Sequence, residues 1–346
     1  MRPSVLNRRA FLAASAGAAA CARDPRPRLN VFNWSDYIAP QVIPNFEREF
    51  GVRVRYGVYE VTEEMVARVW SGNSGWDVVF PSNSYVEPLR QAGLLQRLNH
   101  ARLPGLANLE RLFQAPLWDR GLDWSMPYMW GATGIVYQRT LDPAPRAWRD
   151  LWSAPLKGRM TMLDDPAEVL GACLKKLGYS VNATSPTELA AAKQEAVTQK
   201  AVLRAYLNAE VRDQLIAGDL LAAQAWRLTA QQAIDGAPER LEFVFPEEGF
   251  PIYADCACIL RESKRSELAH EFLDYLLRPE VAAATAVAMK TSTCNGAARP
   301  LLPPAVRDSP IYYPPADVLA RGEWFTPVPA AAQRLRDRLW TEIKSA

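Results

Sequence analysis

The stretch FNWSDYI, residues 32–38, combines residue types that rarely serve one purpose together. Trp34 and Tyr37 are large rings, Ser35 and Asp36 carry a hydroxyl and a carboxylate, and all four follow the strand-like RLNVFN. In one interpretation the rings pack under a loop while Ser35 or Asp36 caps the next helix. In the other, the ring faces lie along a small cation with an apolar body, and Asp36 helps to neutralise it. The stretch alone leaves both interpretations open.

A second candidate is MLDDPAEVL, residues 162–170. Asp165 is placed to cap a helix, with Pro166 at the first helical position and Glu168 at the third. This capping-box-like start needs no ligand. Acids at a helix N-terminus are also stable as anions, so the same arrangement holds two carboxylates ready for a cation. Capping and ligand binding are compatible if each group keeps one oxygen free.

Two further stretches associate rings and an acid with apolar strands. QAWRLT places Trp226 after an apolar run, and PIYADCACIL places Tyr253 and Asp255 two residues apart, on one face of a strand. A carboxylate inside an otherwise apolar strand is unusual. It requires either a hydrogen-bonded partner in the fold or a ligand, and we favour the ligand.

An alkyl diamine would use all of these groups. Its ammonium ends need carboxylates, because an unpaired buried ammonium is costly, and its methylenes need flat apolar walls. Each cation–π contact contributes about 0.5–2 kcal/mol once it is desolvated. The rings and acids therefore indicate a pocket for a small organic cation, drawn from distant parts of the chain.

Signatures of catalysis are missing from the sequence. There is no G-x-G-x-x-G and no G-x-x-x-x-G-K-[ST], and GNSGW at 72–76 lacks the spacing of a nucleophile elbow. His100 and His270 are the two histidines of the chain, which argues against a His-based triad or a metal site. The formal net charge is +2, so nucleic acid is not an expected partner. We expect no enzyme, no cofactor and no metal.

The first twenty residues are typical of an export signal rather than of a folded element. Arg8 and Arg9 precede an apolar run from Ala10 to Ala20, and the RRAFL segment resembles a twin-arginine motif. Cys21 follows in a loose lipobox-like position, so lipidation of Cys21 and plain cleavage near Ala20 are both open. No later apolar run reaches the ~18 residues that a membrane span needs. We expect an exported chain, free or tethered by its N-terminus.

The length of 346 residues predicts two domains or one large α/β body. From residue 28 strand-like runs alternate with helical ones, which predicts a parallel sheet with helices on both faces. Ligands of such sheets sit beyond the carboxyl ends of strands, where FNWSDY and FPSNSY fall. A second α/β stretch, followed by a return to the first unit, indicates two lobes on a multi-strand hinge. Four cysteines are expected to be buried free thiols or to form one long-range disulfide: Cys173, Cys256, Cys258 and Cys294.

Seven motifs in combination make the sequence similar to the bacterial polyamine-binding periplasmic proteins, the putrescine and spermidine receptors of ABC importers. They are NWSDYIAP (33–40), WDVVFPS (76–82), MPYMWGATG (126–134), LDDPAEV (163–169), FPEEG (245–249), YLLRPEVA (275–282) and YYPPADV (312–318). NWSDYIAP and YPPADV lean towards the putrescine-type branch. The resemblance implies an α/β, two-lobe periplasmic-binding-protein fold of type II, each lobe a mixed sheet flanked by helices, joined by a multi-strand hinge.

The implied layout divides the chain into three parts. Residues 1–26 form the leader and linker, 27–132 with 254–298 form lobe 1, and 133–253 with 299–346 form lobe 2. The two lobes are expected to close on a ligand by hinge motion.

The resemblance also assigns ligand positions by matching motifs. These are Trp34, Ser35, Asp36 and Tyr37 in the first loop, Ser82, Ser84 and Tyr85 in the second, and Asp165, Glu168, Trp226, Thr229, Tyr253 and Asp255 further along the chain.

Several positions depart from the family pattern. An acid is usual at Thr229 in the putrescine type, a Tyr is usual at Thr291, the spermidine type uses a Gln at Phe325, and a small or neutral residue is usual at Arg227. Strand alternation after an inward Trp226 predicts that Arg227 points out of the pocket. If it pointed inward, it would repel a diamine or neutralise Glu168.

The expected function is that of a monomeric receptor that captures putrescine or spermidine and delivers it to the permease subunits of a membrane ABC transporter from the periplasm. Two alternatives stay open. One is a receptor of the same fold for another amine, or for an amino compound whose carboxylate meets Arg227. The other is an enzyme or a sensor that pairs with a membrane protein.

Overall fold

A computed structural model describes residues 24–346. The leader, with Arg8, Arg9 and the cysteine at position 21, lies outside the described residues. The strands are β1 (Arg28–Trp34), β2 (Arg53–Tyr59), β3 (Val78–Val79), β4 (Met126–Gln138), β5 (Met160–Met162), β6 (Leu203–Tyr206), β7 (Ala222–Trp226), β8 (Leu241–Val244), β9 (Phe250–Ile259), β10 (Ser292–Thr293) and β11 (Gly322–Trp324).

Helices alternate with the strands along the described chain, and one helix ends it. They are α1 (Val42–Phe50), α2 (Thr62–Trp70), α3 (Asn83–Gln91), α4 (Pro166–Lys176), α5 (Pro186–Gln199), α6 (Val211–Ala217), α7 (Arg227–Gly236), α8 (Ser266–Leu276), α9 (Pro279–Met289), α10 (Pro304–Arg307), α11 (Ala316–Leu319) and α12 (Ala330–Ser345). Short 3-10 turns connect several of them. Among residues 24–346, no helix is both long and apolar enough to cross a membrane.

The strands form two parallel groups joined by two long antiparallel strands. The order is β2-β1-β3-β9-β4-β7-β5-β6, with β8 and β10 beside β4, and β11 beside β9. Pairing of β1 with β2 and β3 is parallel, as is pairing of β5 with β6 and β7. The alternation of strand and helix therefore gives a mixed sheet flanked by helices in each of two lobes, and the prediction of a type II periplasmic-binding-protein fold is confirmed.

Strand β4 takes part in both groups. Its first half, residues 126–132, pairs with β9, and its second half, from Thr133 onward, pairs with β7 and β8. All 13 residues of β4 are buried, as expected for a strand covered on both faces. Because β4 crosses from one group to the other, the residues near its middle lie where the two lobes meet.

Helix α1 has a glycine at its end and no side-chain cap at its start. Helix α1 ends at Gly51, whose φ of +66° is the left-handed conformation that favours glycine. Its first residue is Val42, and Gln41 precedes it without a side-chain cap. The prediction that Ser35 or Asp36 caps this helix is therefore wrong, because the loop runs on for several residues before the helix begins.

The four cysteines of the described chain are free and buried, which confirms the first of the two predicted alternatives. Burial raises the pKa of each thiol, so the neutral form predominates. These residues serve as small apolar packing groups.

Candidate ligand-binding site

Asp255 is buried at the junction of three predicted site segments. Tyr37 donates its hydroxyl to Oδ2 at 2.6 Å, and Ser82 donates its hydroxyl to Oδ1 at 2.9 Å. Ser82 also faces Asp255 in an isolated β-bridge. Tyr37 follows β1 and Ser82 follows β3, so the carboxyl ends of two parallel strands meet at this acid. The prediction that FNWSDY and FPSNSY lie at one edge of a sheet is confirmed.

The environment of Asp255 stabilises its neutral form more than water does. The residue is 4% exposed, and burial raises its pKa to about 6 while the hydrogen bonds from Tyr37 and Ser82 oppose the rise. The two hydroxyls therefore recover part of the charge stabilisation that burial removes. The carboxylate in the apolar strand has hydrogen-bonded partners in the fold, so its presence does not require a ligand, although it is compatible with one.

Glu168 lies in the first turn of α4. Asp165 is the N-cap, and its Oδ1 accepts from the backbone N–H groups of Ala167 and Glu168, which confirms the predicted cap. Glu168 does not complete a capping box. Its Oε1 instead accepts from the Thr133 hydroxyl at 2.8 Å and the Trp226 indole N–H at 3.0 Å.

The second carboxylate oxygen of Glu168 has no donor within residues 24–346. Oε2 is buried and without a hydrogen-bond partner among the described residues, and the side chain is 2% exposed. Burial first, and then the charge of Asp165, raises the pKa of Glu168 to about 8, against the bonds from Thr133 and Trp226. A buried polar atom without a partner is rare in folded proteins. It marks the position where a donor from outside the chain would be stabilised.

Along strand β4, Tyr253 lies between the two acids, because Met129 faces Asp255 and the Thr133 hydroxyl binds Glu168. It faces Gly131 across the β4–β9 pair, and a Cβ at position 131 would come within 2.4 Å of the Tyr253 hydroxyl oxygen, so a glycine is needed there. Burial, then Asp255, raises the pKa of Tyr253, with Glu168 adding to the rise and Arg227 opposing it. Residues 129, 131 and 133 alternate to one face of β4, so the partners of that face, Asp255, Tyr253 and Glu168, border a common region.

The remaining residues of the first loop are held by their own contacts. Trp34 donates its indole N–H to the Phe80 carbonyl at 2.9 Å and packs against Tyr59, with ring centroids 4.7 Å apart. Ser35 donates to Oε2 of Glu60 at 2.9 Å. Asp36 is exposed and has a φ of +48°, a left-handed conformation that Asp tolerates better than most residues.

Three other predicted positions lie in the first turns of helices. Ser84 and Tyr85 are half-buried at the start of α3, just after Ser82, and Thr229 is buried in α7, three residues after Trp226. Their hydroxyls are not among the donors to Asp255 or Glu168 described above. Their role in binding stays a prediction.

Arg227 does not follow the predicted alternation. Strand β7 ends at Trp226 and Arg227 is the first residue of α7, so the rule for alternating strand residues does not apply to it. The side chain is 1% exposed. It donates to the Trp130 carbonyl at 2.7 Å and to the Tyr312 carbonyl at 2.5 Å. Arg227 is therefore held inside the protein by main-chain carbonyls, and the expectation that it points out of the pocket stays a prediction.

Sequence reasoning missed two residues that hold Glu168. Thr133 in β4 binds its carboxylate, and Gln224 in β7 donates its amide to the Glu168 carbonyl at 2.9 Å while accepting from Leu163. Both are completely buried. The available signal was a single polar residue inside an apolar strand, in GATGIV and in LLAAQAW, which is the signal that identified Asp255.

The fold and this arrangement define a class of protein. Two groups of parallel strands share long crossing strands, and two buried acids with hydroxyl and indole partners lie along β4. This is the construction of a two-lobe receptor that holds a small solute.

The comparison with known protein families identifies the same class, a solute-binding receptor. The chain belongs to the family of bacterial extracellular solute-binding proteins, whose model matches residues 41–313. The family consists of substrate-binding receptors of ABC transporters and not of enzymes, which confirms the expectation from the missing catalytic motifs.

Relatives match along nearly the whole chain. The spermidine/putrescine-binding periplasmic protein of Escherichia coli (strain K12) is 34% identical, covering 97% of this chain and 98% of its own. The putrescine-binding periplasmic protein SpuD of Pseudomonas aeruginosa (strain UCBPP-PA14) is 32% identical, covering 96% of each. The solved spermidine/putrescine ABC transporter substrate-binding protein PotD of Streptococcus pneumoniae superposes with a TM-score of 0.82 at 28% identity, covering 92% of this chain and 99% of its own.

Proposed function

We propose that the protein is an extracytoplasmic receptor that binds putrescine or spermidine between its lobes and delivers it to the permease of an ABC importer. The observation that carries the proposal is the pair of buried carboxylates, Asp255 and Glu168, on either side of Tyr253. Oε2 of Glu168 in particular is buried without a donor from the described chain. An ammonium group supplies both the missing donor and the missing positive charge.

The physical case rests on matching a dication to two buried acids. Each ammonium would replace water with a charge-assisted hydrogen bond to one carboxylate, and in a site from which water is excluded that attraction is stronger than in solution. The rings of Tyr253 and Trp226 would pack on the methylenes between. Ligand binding would also favour ionisation of Glu168 by supplying the opposite charge.

The names of the relatives support this ligand class, because the E. coli and P. aeruginosa proteins are named for binding spermidine, putrescine or both. We also propose that the chain acts as a monomer in the periplasm, the compartment named for those relatives. Its export would use the twin-arginine-like signal, followed either by plain cleavage near Ala20 or by lipidation of Cys21 as a tether.

The proposed lobe boundaries are those expected from the sequence, with residues 27–132 and 254–298 in lobe 1 and residues 133–253 and 299–346 in lobe 2. The strand partners of β4 change between residues 132 and 133, which supports the first of these boundaries.

The test is isothermal titration calorimetry of the exported, purified protein with putrescine, spermidine and a linear amino acid of similar length. We expect heat from at least one of the two polyamines and none from the amino acid. Saturating ligand at ~100 times its dissociation constant should stabilise the protein by ~2.7 kcal/mol in a thermal-shift measurement.

The opposite pattern would contradict the proposal. Binding of the amino acid without binding of either polyamine would identify a receptor of the same fold for a zwitterion, whose carboxylate is attracted to Arg227. Normal polyamine uptake by a strain that lacks the protein would contradict its role in transport.

A further inference from the structure

Two hydrogen-bond donors from neighbouring strands act on the same oxygen of Glu168. Thr133 in β4 and Trp226 in β7 are direct partners in the antiparallel pairing of these strands, and the side chains of such partners lie on one face of the sheet. The Thr133 hydroxyl donates to Oε1 at 2.8 Å, and the Trp226 indole N–H donates to the same atom at 3.0 Å. The register of β4 with β7 therefore places both donors beside one carboxylate oxygen.

The main chain of Glu168 is also bound by a residue of β7. Gln224 donates its side-chain amide to the Glu168 carbonyl at 2.9 Å and accepts from the Leu163 N–H at 3.3 Å. Gln224 and Thr133 are completely buried, and Glu168 is 2% exposed. Because the main chain and one carboxylate oxygen of Glu168 are both bound, the position of the other oxygen, Oε2, depends on the donors to Oε1.

Thr133 lies where the partners of β4 change. Residues 126–132 of β4 pair with β9, and the pairing with β7 begins at Thr133. Residues 129, 131 and 133 alternate to one face of β4, and the first two of them lie opposite Asp255 and Tyr253. Glu168 belongs to α4, which follows β5 in the second parallel group of strands. The Thr133 hydroxyl therefore connects Glu168 to the face of β4 that also borders Asp255.

We propose that Thr133 is a positioning residue for ligand binding, whose hydroxyl, together with the Trp226 indole, holds Oε1 of Glu168 so that Oε2 is the oxygen that meets an ammonium of the ligand. The inference rests on the proposed function. With Trp226 as the single donor, the carboxylate could turn about one hydrogen bond, and a second donor on the same oxygen restricts that turn. A carboxylate that is already oriented loses less conformational freedom when a ligand binds, which favours affinity.

The Thr133 hydroxyl also stabilises the charged form of Glu168 that an ammonium requires. Burial first, and then Asp165, raises the pKa of Glu168 to about 8, and the hydrogen bonds from Thr133 and Trp226 oppose the rise. Tyr253 on β9 also interacts electrostatically with Glu168. Loss of the Thr133 hydroxyl would leave Asp165 and Tyr253 in place and remove one of the two opposing bonds. The pKa of Glu168 should then rise further, and more unliganded molecules should hold a proton there.

Thr133→Val tests the proposal, because valine keeps the β-branched shape and lacks the hydroxyl. We expect the dissociation constant of putrescine or spermidine, whichever the unaltered protein binds, to rise about fivefold at pH 7. Calorimetry at pH 8 in buffers of different ionisation enthalpy should show more protons released per bound ligand than in the unaltered protein. Thr133→Ser restores a hydroxyl donor and should restore most of the affinity and of the original proton release.

Thr161 provides the matched control. It is a completely buried threonine of β5, the strand that pairs with β7, and its hydroxyl has no hydrogen-bond partner within residues 24–346. Thr161→Val should therefore leave both the dissociation constant and the proton release unchanged. Circular dichroism of all the variants establishes that each one is folded.

A folded Thr133→Val protein with unchanged affinity and unchanged proton release would overturn the inference. An equal loss of affinity in Thr133→Val and Thr133→Ser, without a change in proton release, would overturn it as well, because a purely structural role predicts that result. If Thr133→Val does not fold, Thr133→Ala carries the same expectations. If the unaltered protein binds neither putrescine nor spermidine, the proposed function itself fails. If it binds either one and Thr133→Val behaves like Thr161→Val, the positioning role of Thr133 alone fails.

Discussion

The two buried carboxylates of the site differ in how their hydrogen-bond donors are distributed over the two oxygens. Asp255, on strand β9, receives a hydroxyl on each oxygen, from Tyr37 and from Ser82. Glu168, at the start of α4, receives two donors on one oxygen and none on the other from the described residues. Their pKa values follow this difference, about 6 for Asp255 and about 8 for Glu168, with burial as the main cause of both.

The difference indicates two roles at the two ends of a ligand. Asp255 offers a carboxylate that is already oriented by two hydroxyls. Burial raises the pKa of Glu168 further than that of Asp255, so an arriving ammonium more often has to displace a proton from Glu168. The first acid therefore contributes more of the binding free energy, and the second links binding to pH.

The largest expected effect comes from Asp255→Asn. Removing one partner of a buried charge pair costs roughly 2–5 kcal/mol, so diamine affinity should fall at least tenfold while the fold stays intact. Calorimetry and circular dichroism measure the two quantities. Asp77→Asn is the matched control, because Asp77 is also a buried acid, bonded to Asn30 and Ser263, and its loss should affect stability and not affinity. Unchanged affinity in Asp255→Asn would rule out its role as a ligand acid.

The next effect is a dependence of affinity on pH. Diamine ammonium groups stay protonated to about pH 9, since amines of this kind have pKa values near 10, while Asp255 and Glu168 lose protons through about pH 6 and about pH 8. Affinity should therefore rise with pH, by up to about tenfold per unit between pH 6 and 8, and level off above. Calorimetry in buffers of different ionisation enthalpy should detect proton release on binding at pH 7. A flat profile would contradict the assignment.

The unliganded protein should show the opposite trend in stability. Because the folded pKa of Glu168 is raised from 4.5 to about 8, the folded state holds a proton that the unfolded state releases. That stabilisation is fully present below about pH 4.5 and is lost as pH rises through about 8. The pH profile of chemical denaturation, compared between the unaltered protein and Glu168→Gln, isolates this contribution.

Glu168→Gln itself should weaken diamine binding about tenfold, which is a smaller loss than that expected for Asp255→Asn. The reason is that the free energy gained from the ammonium–Glu168 interaction is partly offset by the cost of removing the proton from Glu168. The variant should also abolish most of the proton release at pH 7. Glu195→Gln, which removes a glutamate paired with Lys176 in the same lobe, is the control. A larger loss of affinity in Glu168→Gln than in Asp255→Asn would reverse the comparison of the two acids.

The smallest effect is expected at the neighbouring residues 36 and 37. Asp36 is exposed, and exposed charges are screened by water and salt, so Asp36→Asn should change diamine affinity by no more than about twofold. Tyr37→Phe removes a hydrogen bond to Asp255 and should weaken binding about fivefold. Titrations of both variants at one ionic strength would show whether the ranking holds.

Local features of the fold and site could be predicted from the sequence. The Asp165 cap was predicted correctly, since it depends on contacts within one helical turn. The features that the sequence did not reveal have physical reasons as well. Strand alternation is no basis for the orientation of Arg227, because the chain changes from strand to helix at that residue. Thr133 and Gln224 were missed because a hydroxyl or an amide in a strand does not reveal its distant partner.

The sequence by itself determined the alternation of strands and helices, the presence of an acid in the apolar strand β9, and the absence of catalytic motifs. Periodicity and capping depend on residues a few positions apart, so the sequence alone is enough to predict them. Only the tertiary structure decided that Tyr37 meets Asp255 across 218 residues and that Arg227 is bound by carbonyls. It also decided that one oxygen of Glu168 receives no donor from the part of the chain that the structure describes. Those outcomes depend on how β4 and β9 cross between the lobes, which no local window of sequence contains.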